Sequence, residues 1–155
     1  MKEIVQNIPS AKMLLLLSRD KQYIGKYRQL LQLINKLGLN DKVLDIPPVP
    51  HSELPKYIKA ADCVIVPSLS EGFGYTAAEA AAMGKPIIAS STTSLPEVVS
   101  GKHILIKPKD SREIAAAVES MRNGKCHTTK LRKFTIDENV SNYLKIYQEV
   151  LQQKA

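Results

Sequence analysis

The chain has 155 residues, 44% hydrophobic and 24% charged, with only 7 Gly and 9 Pro. That is the composition of one ordinary globular domain and excludes a disordered, collagenous or disulfide-built protein. Lys and Arg outnumber Asp and Glu by 22 to 15, a formal charge of +7, yet aromatics make up only 5%, which argues against nucleic acid, where positioned cations work with stacking side chains.

In chain order, Met13 to Leu17 reads as an apolar strand too short to span a membrane. Gln22 to Leu37 places Ile24, Tyr27, Leu30, Leu31, Ile34 and Leu37 on one helical stripe and stops before Gly38. Lys42 to Ile46 is the second strand, Glu53 to Ala60 a helix with Ser52 as its candidate cap, and Cys63 to Val66 the third strand. The alanine-rich run Tyr75 to Met83 is a helix whose small face suits close packing. It ends at Gly84, ahead of a strand over Pro86 to Ala89 and another over His103 to Ile106. Ser111 to Met121, after Asp110, and Glu138 to Gln152 complete the helices. The last is amphipathic, and Val140, Tyr143, Leu144, Tyr147 and Leu151 are expected to face inward.

Strands alternating with helices predict an α/β fold, a parallel sheet covered by helices on both faces. Residues 1–134 form the expected domain, and 135–155 an amphipathic helix packed on it. The charge excess is concentrated in Arg122, Lys125, Lys130, Arg132 and Lys133, with no acid among them. A solvated loop is the favoured reading of 122–133, with peripheral contact to an anionic membrane or partner as the alternative. Cys63 and Cys126 form no C-x-x-C pair and no leader is visible, which suggests reduced thiols in the cytoplasm. His51 and His103 lack a partner at readable spacing and read as structural; His127 lies in the basic segment.

Parallel sheets bind ligands at the carboxyl ends of their strands. After the third strand comes Pro67-Ser-Leu-Ser-Glu71-Gly72-Phe73-Gly74-Tyr75-Thr76, leading into the Tyr75 helix. Gly72 and Gly74 allow a tight turn and close backbone approach, and the free amides of the first helical turn make an anion site suited to phosphate. Glu71 stands before the helix and Glu79 roughly 7 Å along it. Carboxylates accept hydrogen bonds from hydroxyls, so a phosphate flanked by two acids suits a sugar on one side and a ribose on the other. Gly72-Phe-Gly74-Tyr-Thr-Ala77 also fits a dinucleotide fingerprint with Glu97 as its acid, but its distance from the preceding strand makes that match weak.

The run Pro67 to Ala80, together with Gly84 to Ser90, Pro96-Glu-Val-Val99, Leu37 to Val43 and Ala60-Ala-Asp62, resembles the C-terminal donor-binding domain of family 4 (group 1) retaining glycosyltransferases of GT-B architecture. Glu71 and Glu79 match that family's E-x7-E pair. The resemblance implies a Rossmann-like half of a GT-B fold and transfer of a sugar, with retention, from a nucleoside diphosphate to an acceptor hydroxyl. Glu71 would be the catalytic residue, contacting hydroxyls of the donor sugar, and Gly72, Phe73, Gly74, Tyr75 and Thr76 would present backbone amides to sugar and diphosphate. Glu79 would hold the ribose, and Val49 and Pro50 would border the base. The sequence has no D-x-D, in keeping with metal-independent chemistry, so neither metal nor cofactor is expected.

In that family the donor domain opens with a strand carrying an Arg/Lys pair for the diphosphate; by the resemblance Met1 to Asn7 would be the tail of the helix that follows it, so that strand is expected to be missing here. Its place in the sheet would be filled by pairing of the Met13 and Cys63 strands or by a borrowed strand. Arg19 and Lys21 are candidate substitute cations. Thr92-Thr93-Ser94 stands where the family commonly has glycines. A separate acceptor-binding N-terminal domain or chain is the implied partner, and the nucleotide-sugar donor the implied ligand. The alternatives are a non-catalytic sugar-nucleotide-binding or partner-binding subunit, and a same-fold nucleotide-sugar epimerase.

Overall fold

The computed structural model describes residues 1–153. Its elements are α1 (Lys2–Asn7), β1 (Met13–Leu16), α2 (Ile24–Lys36), β2 (Val43–Ile46), α3 (Leu54–Ala60), β3 (Val64–Val66) and α4 (Tyr75–Ala82), followed by β4 (Ile87–Ser90), α5 (Leu95–Val98), β5 (Lys102–Ile106), α6 (Ser111–Arg122), β6 (His127–Thr128) and α7 (Ile136–Gln152). The alternation expected from the sequence is present, as a parallel α/β arrangement with one antiparallel edge.

β4 lies at the centre of the core because its run Ile87-Ile-Ala89 is apolar on both faces, as a doubly covered strand requires. On one face Ile87 and Ala89 pack with Val66, Ile58 and the α4 alanines Ala77, Ala80 and Ala81. The alanines bring α4 close to the sheet, as the small helix face predicts. On the other face Ile88 packs with Ile106, Ile104 and Ile65 against Ile114, Ala117 and Val118 of α6. Asp110 caps α6 by accepting from the amides of Arg112 and Glu113. The expected Ser52 cap is not formed: Glu53 holds the N-cap position of α3, and its side chain makes no capping bond.

The strands form two sheets. β1 pairs with β2 in parallel, and β3, β4, β5 and β6 form a second sheet in that order. Pairing of the Met13 and Cys63 strands is therefore not how the sheet closes: among the described residues each of β1 and β3 keeps an unpaired edge. β1 is apolar at every position, yet all four of its residues are only half-buried.

Two further expectations change. The apolar stripe of α7 does not face inward. No α7 residue is buried, and Val140, Tyr143, Leu144, Tyr147 and Leu151 are all exposed, because periodicity marks an apolar face without supplying the surface that covers it. Residues 154 and 155 of the expected terminal unit lie outside the described residues. The basic stretch 122–133 is also more than a solvated loop. It contains β6, antiparallel to β5, and is tied down where Thr129 N donates to Gly101 O (3.0 Å) and Arg132 N to Ser100 Oγ (3.2 Å). Its lysines and arginines remain exposed.

Candidate donor site

The loop after β3 is held by its neighbour after β4. Glu71 N donates to Thr93 Oγ1 (3.0 Å), Thr92 Oγ1 donates to Leu69 O (3.2 Å), and Ser94 Oγ reaches both Glu71 O (3.1 Å) and Phe73 O (3.0 Å). Thr93 adopts a left-handed φ of 45°. A glycine would take that conformation without steric penalty; the threonine's hydroxyl compensates by capping the Glu71 amide. The segment Thr92-Thr93-Ser94 thus acts as a scaffold for the glycine loop.

Gly74 is the N-cap of α4 at φ 94°, a conformation that favours glycine, and its buried Cα faces Leu95. Beyond it the helix begins at once. The amides of Gly72, Phe73, Gly74, Tyr75 and Thr76 have no hydrogen-bond acceptor among the described residues, while Ala77 N and Ala78 N close back on Gly74 O. The result is a run of consecutive free donors at the positive end of a helix, opening at the carboxyl end of β3.

Glu71 is half-buried, and its Oε1 accepts from Ser68 Oγ at 2.6 Å, which orients the carboxylate beside those donors. Glu79 lies one turn further along α4, half-buried, with its Oε1 3.8 Å from His51 Nε2. That contact joins α4 to the loop after β2, so Glu79 lies next to the segment of half-buried Val49 and exposed Pro50. His51 thus has a carboxylate partner that sequence spacing could not reveal, since it comes from a different loop.

Arg19 and Lys21 form no hydrogen bond or ion pair with this group among the described residues. Arg19 forms an ion pair with Asp45 of β2 (3.2 Å) and stacks over the Tyr27 ring, 5.5 Å from its centroid. Tyr27 in turn donates to the same Asp45 oxygen. Lys21 is exposed and forms no ion pair among the described residues. A small cleft of about 220 Å³ between Leu17, Ser18, Tyr23 and Tyr27 adjoins this turn.

A larger open groove of about 840 Å³ runs from the glycine loop to α7. Phe73 meets Tyr75 and Phe134 at centroid separations of 5.0 Å, the latter edge-to-face. Arg132 and Lys133 line the same groove. The basic segment therefore brings cations beside the glycine loop, a proximity across the chain that no local pattern signals. Cys63 and Cys126 are both free; burial, reinforced by nearby Asp62, pushes the Cys63 thiol above its usual range.

Residues 24–138 match the family model described as "Glycosyl transferases group 1". The chain belongs to this family. It is similar to D-inositol 3-phosphate glycosyltransferase 1 of Catenulispora acidiphila, 31% identical over 134 residues that cover 80% of this chain and 32% of that protein. Among solved structures it resembles sucrose-phosphate synthase from Thermosynechococcus elongatus, with a TM-score of 0.71 and 30% identity over 80% of this chain and 33% of that one. It also superposes on the C-terminal domain of a group 1 glycosyl transferase from Francisella tularensis, with a TM-score of 0.70 and 24% identity, covering 79% of this chain and 64% of that one. The group 1 chain described here thus has the fold of one half of a GT-B glycosyltransferase, its C-terminal domain, and spans about a third of the length of its curated relative. No described helix is long and apolar enough to cross a membrane.

Proposed function

We infer that this domain binds the nucleoside diphosphate sugar of a retaining glycosyltransferase and that transfer needs an N-terminal acceptor domain or partner chain. The observation that carries the reading is the run of free amides from Gly72 to Thr76, flanked by Glu71 and Glu79. Diphosphate oxygens would take the amides of Tyr75 and Thr76, and Gly72, Phe73 and Gly74 would bring backbone donors to sugar and phosphate. Glu71 would accept from sugar hydroxyls and Glu79 from the ribose, with Val49 and Pro50 along the base.

In the proposed reaction the bond between the anomeric carbon and the leaving phosphate oxygen breaks, and its electron pair stays with the diphosphate. The acceptor oxygen bonds to the same face of the carbon, and its proton passes to the departing phosphate. Charge developing on that phosphate is what preorganised amides stabilise best, because they need no reorientation as it forms. The proposed transfer draws on these dipoles and on cations rather than on a metal, as the family resemblance implies. Membrane contact through 122–133 belongs to the proposal only as a surface role for its exposed cations.

A second reading, a non-catalytic nucleotide-sugar-binding subunit, is favoured by Arg19, whose guanidinium is engaged by Asp45 and Tyr27 rather than free for a diphosphate. Calorimetry with uridine, guanosine and adenosine diphosphates and their hexose derivatives tests both. Binding of one nucleotide class that Glu79→Ala weakens about tenfold or more supports the donor site. Binding without sugar release when an N-terminal acceptor domain is supplied favours the second reading, and no binding to any member overturns both.

A further inference from the structure

β6 places two imidazoles side by side at the edge of the second sheet. His103 of β5 and His127 of β6 are direct cross-strand partners in the antiparallel register. Their ring centroids lie 5.8 Å apart, with the planes tilted by 35°. His103 is half-buried and His127 exposed. Neither residue belongs to the proposed donor site.

The hydrogen bond of His103 decides which of its nitrogens is available. Its Nδ1 lies 3.0 Å from Gly101 O. A carbonyl only accepts, so Nδ1 carries the proton and donates it, and the lone pair of the neutral ring is left on Nε2. A backbone carbonyl fixing one ring nitrogen so that the other can coordinate is the usual arrangement behind a metal-bound histidine. Gly101 O is itself held in place, accepting from Thr129 N as the β5–β6 ladder continues.

The spacing suits a shared ion. A metal about 2.1 Å from each coordinating nitrogen lies roughly 3 Å from each ring centre, so two imidazoles sharing it at a tetrahedral angle bring their centres to roughly 5 Å. At 5.8 Å the pair stands slightly wider than that, and exposed His127 can rotate to close the gap. No three His, Cys, Asp or Glu side chains converge among the described residues, so water must fill the remaining positions.

We propose that His103 and His127 form a two-histidine site for a borderline divalent transition metal of the nickel, copper or zinc class. Imidazole is the ligand such ions share, whereas magnesium and calcium require oxygen. Because the two ligands lie on different strands, the ion clips β6 to β5. With β6 it fastens the basic segment whose Arg132 and Lys133 line the groove beside Phe73. Lys102, next to His103 in β5, and Lys125, two residues before His127, are the neighbouring cations along the chain, and their charge limits affinity without removing the ligands.

The test titrates the whole chain with Ni²⁺ in a non-coordinating buffer, followed by calorimetry and by amide spectra of the β5–β6 region. One ion per chain is expected to bind, with paramagnetic broadening centred on His103 and His127. His127→Ala should weaken binding at least tenfold, and His51→Ala and Cys126→Ser should leave it unchanged. His103→Ala tests the second ligand; should that half-buried variant fail to fold, exposed His127→Gln decides the point alone. Binding that survives His127→Gln, broadening centred elsewhere, or no saturable binding at millimolar Ni²⁺ overturns the proposal.

Discussion

Gly74 and Leu95 are in direct apposition: a Cβ built on Gly74 would stand 2.8 Å from Leu95 Cδ2, and Leu95 is fully buried. The contact locks the start of α4 against α5, and with it the direction of the free amides. Gly74→Ala meets both this clash and the left-handed φ of 94°. The left-handed conformation costs a residue with a Cβ about 1–2 kcal/mol, and overpacking a tight core adds roughly 1–3 kcal/mol. The variant is expected to unfold at clearly lower urea concentration and to bind nucleotide more weakly. An unchanged urea midpoint would show that the glycine is not required there.

Tyr27 carries the fold's clearest tyrosine perturbation. Its hydrogen bond to Asp45 stabilises the protonated phenol and, with burial as the smaller contribution, raises its pKa above the ordinary value. A raised folded-state pKa contributes stability that is complete below the unfolded value near 10 and is lost as pH climbs through the folded one. Phenolate absorbance should therefore reveal a tyrosine titrating late in the wild type, and Asp45→Asn should return it to the common range. A late titration that persists in Asp45→Asn would contradict the assignment.

The open edge of β1 has identifiable donors. Met13 N and Leu17 N bond to Lys42 O and Ile46 O of the β2 side. The alternation of a parallel ladder therefore turns the Leu14 and Leu16 amides toward the unpaired edge. An apolar edge of this kind recruits further strands. The chain is expected to associate as concentration rises, and Leu14→Pro, which removes an outward donor and keeps both of those bonds, should reduce the association. Sedimentation velocity at several concentrations, with circular dichroism to confirm folding, checks this. Concentration-independent monomers in the wild type would refute it.

The sequence was legible where the physics is local. The five longer strands lie within a residue or so of their apolar runs, because a run such as Ile87-Ile-Ala89 has no stable place except between two covered faces. The glycine loop was legible for the same reason: Gly72, Gly74 and the helix start at Tyr75 are contiguous. α5 escaped because Leu95–Val98 is a single turn, and β6 because two residues in a basic stretch carry no apolar pattern. The stripe of α7 correctly marked a helix, but its facing depends on a covering surface, which periodicity does not encode. Tertiary approach alone brings Thr93 to the Glu71 amide, His51 to Glu79 and Phe134 to Phe73.

The central claim is that the Gly72 to Thr76 amides receive a diphosphate. The direct measurement is a nitrogen-15 amide correlation spectrum of the chain during titration with the uridine, guanosine and adenosine diphosphates. Saturable shifts are expected, concentrated on the amides of Gly72, Phe73, Gly74, Tyr75 and Thr76 and moving downfield as free donors acquire phosphate acceptors. Saturable shifts that leave these five amides in place, or no shift with any of the three nucleotides, would contradict it.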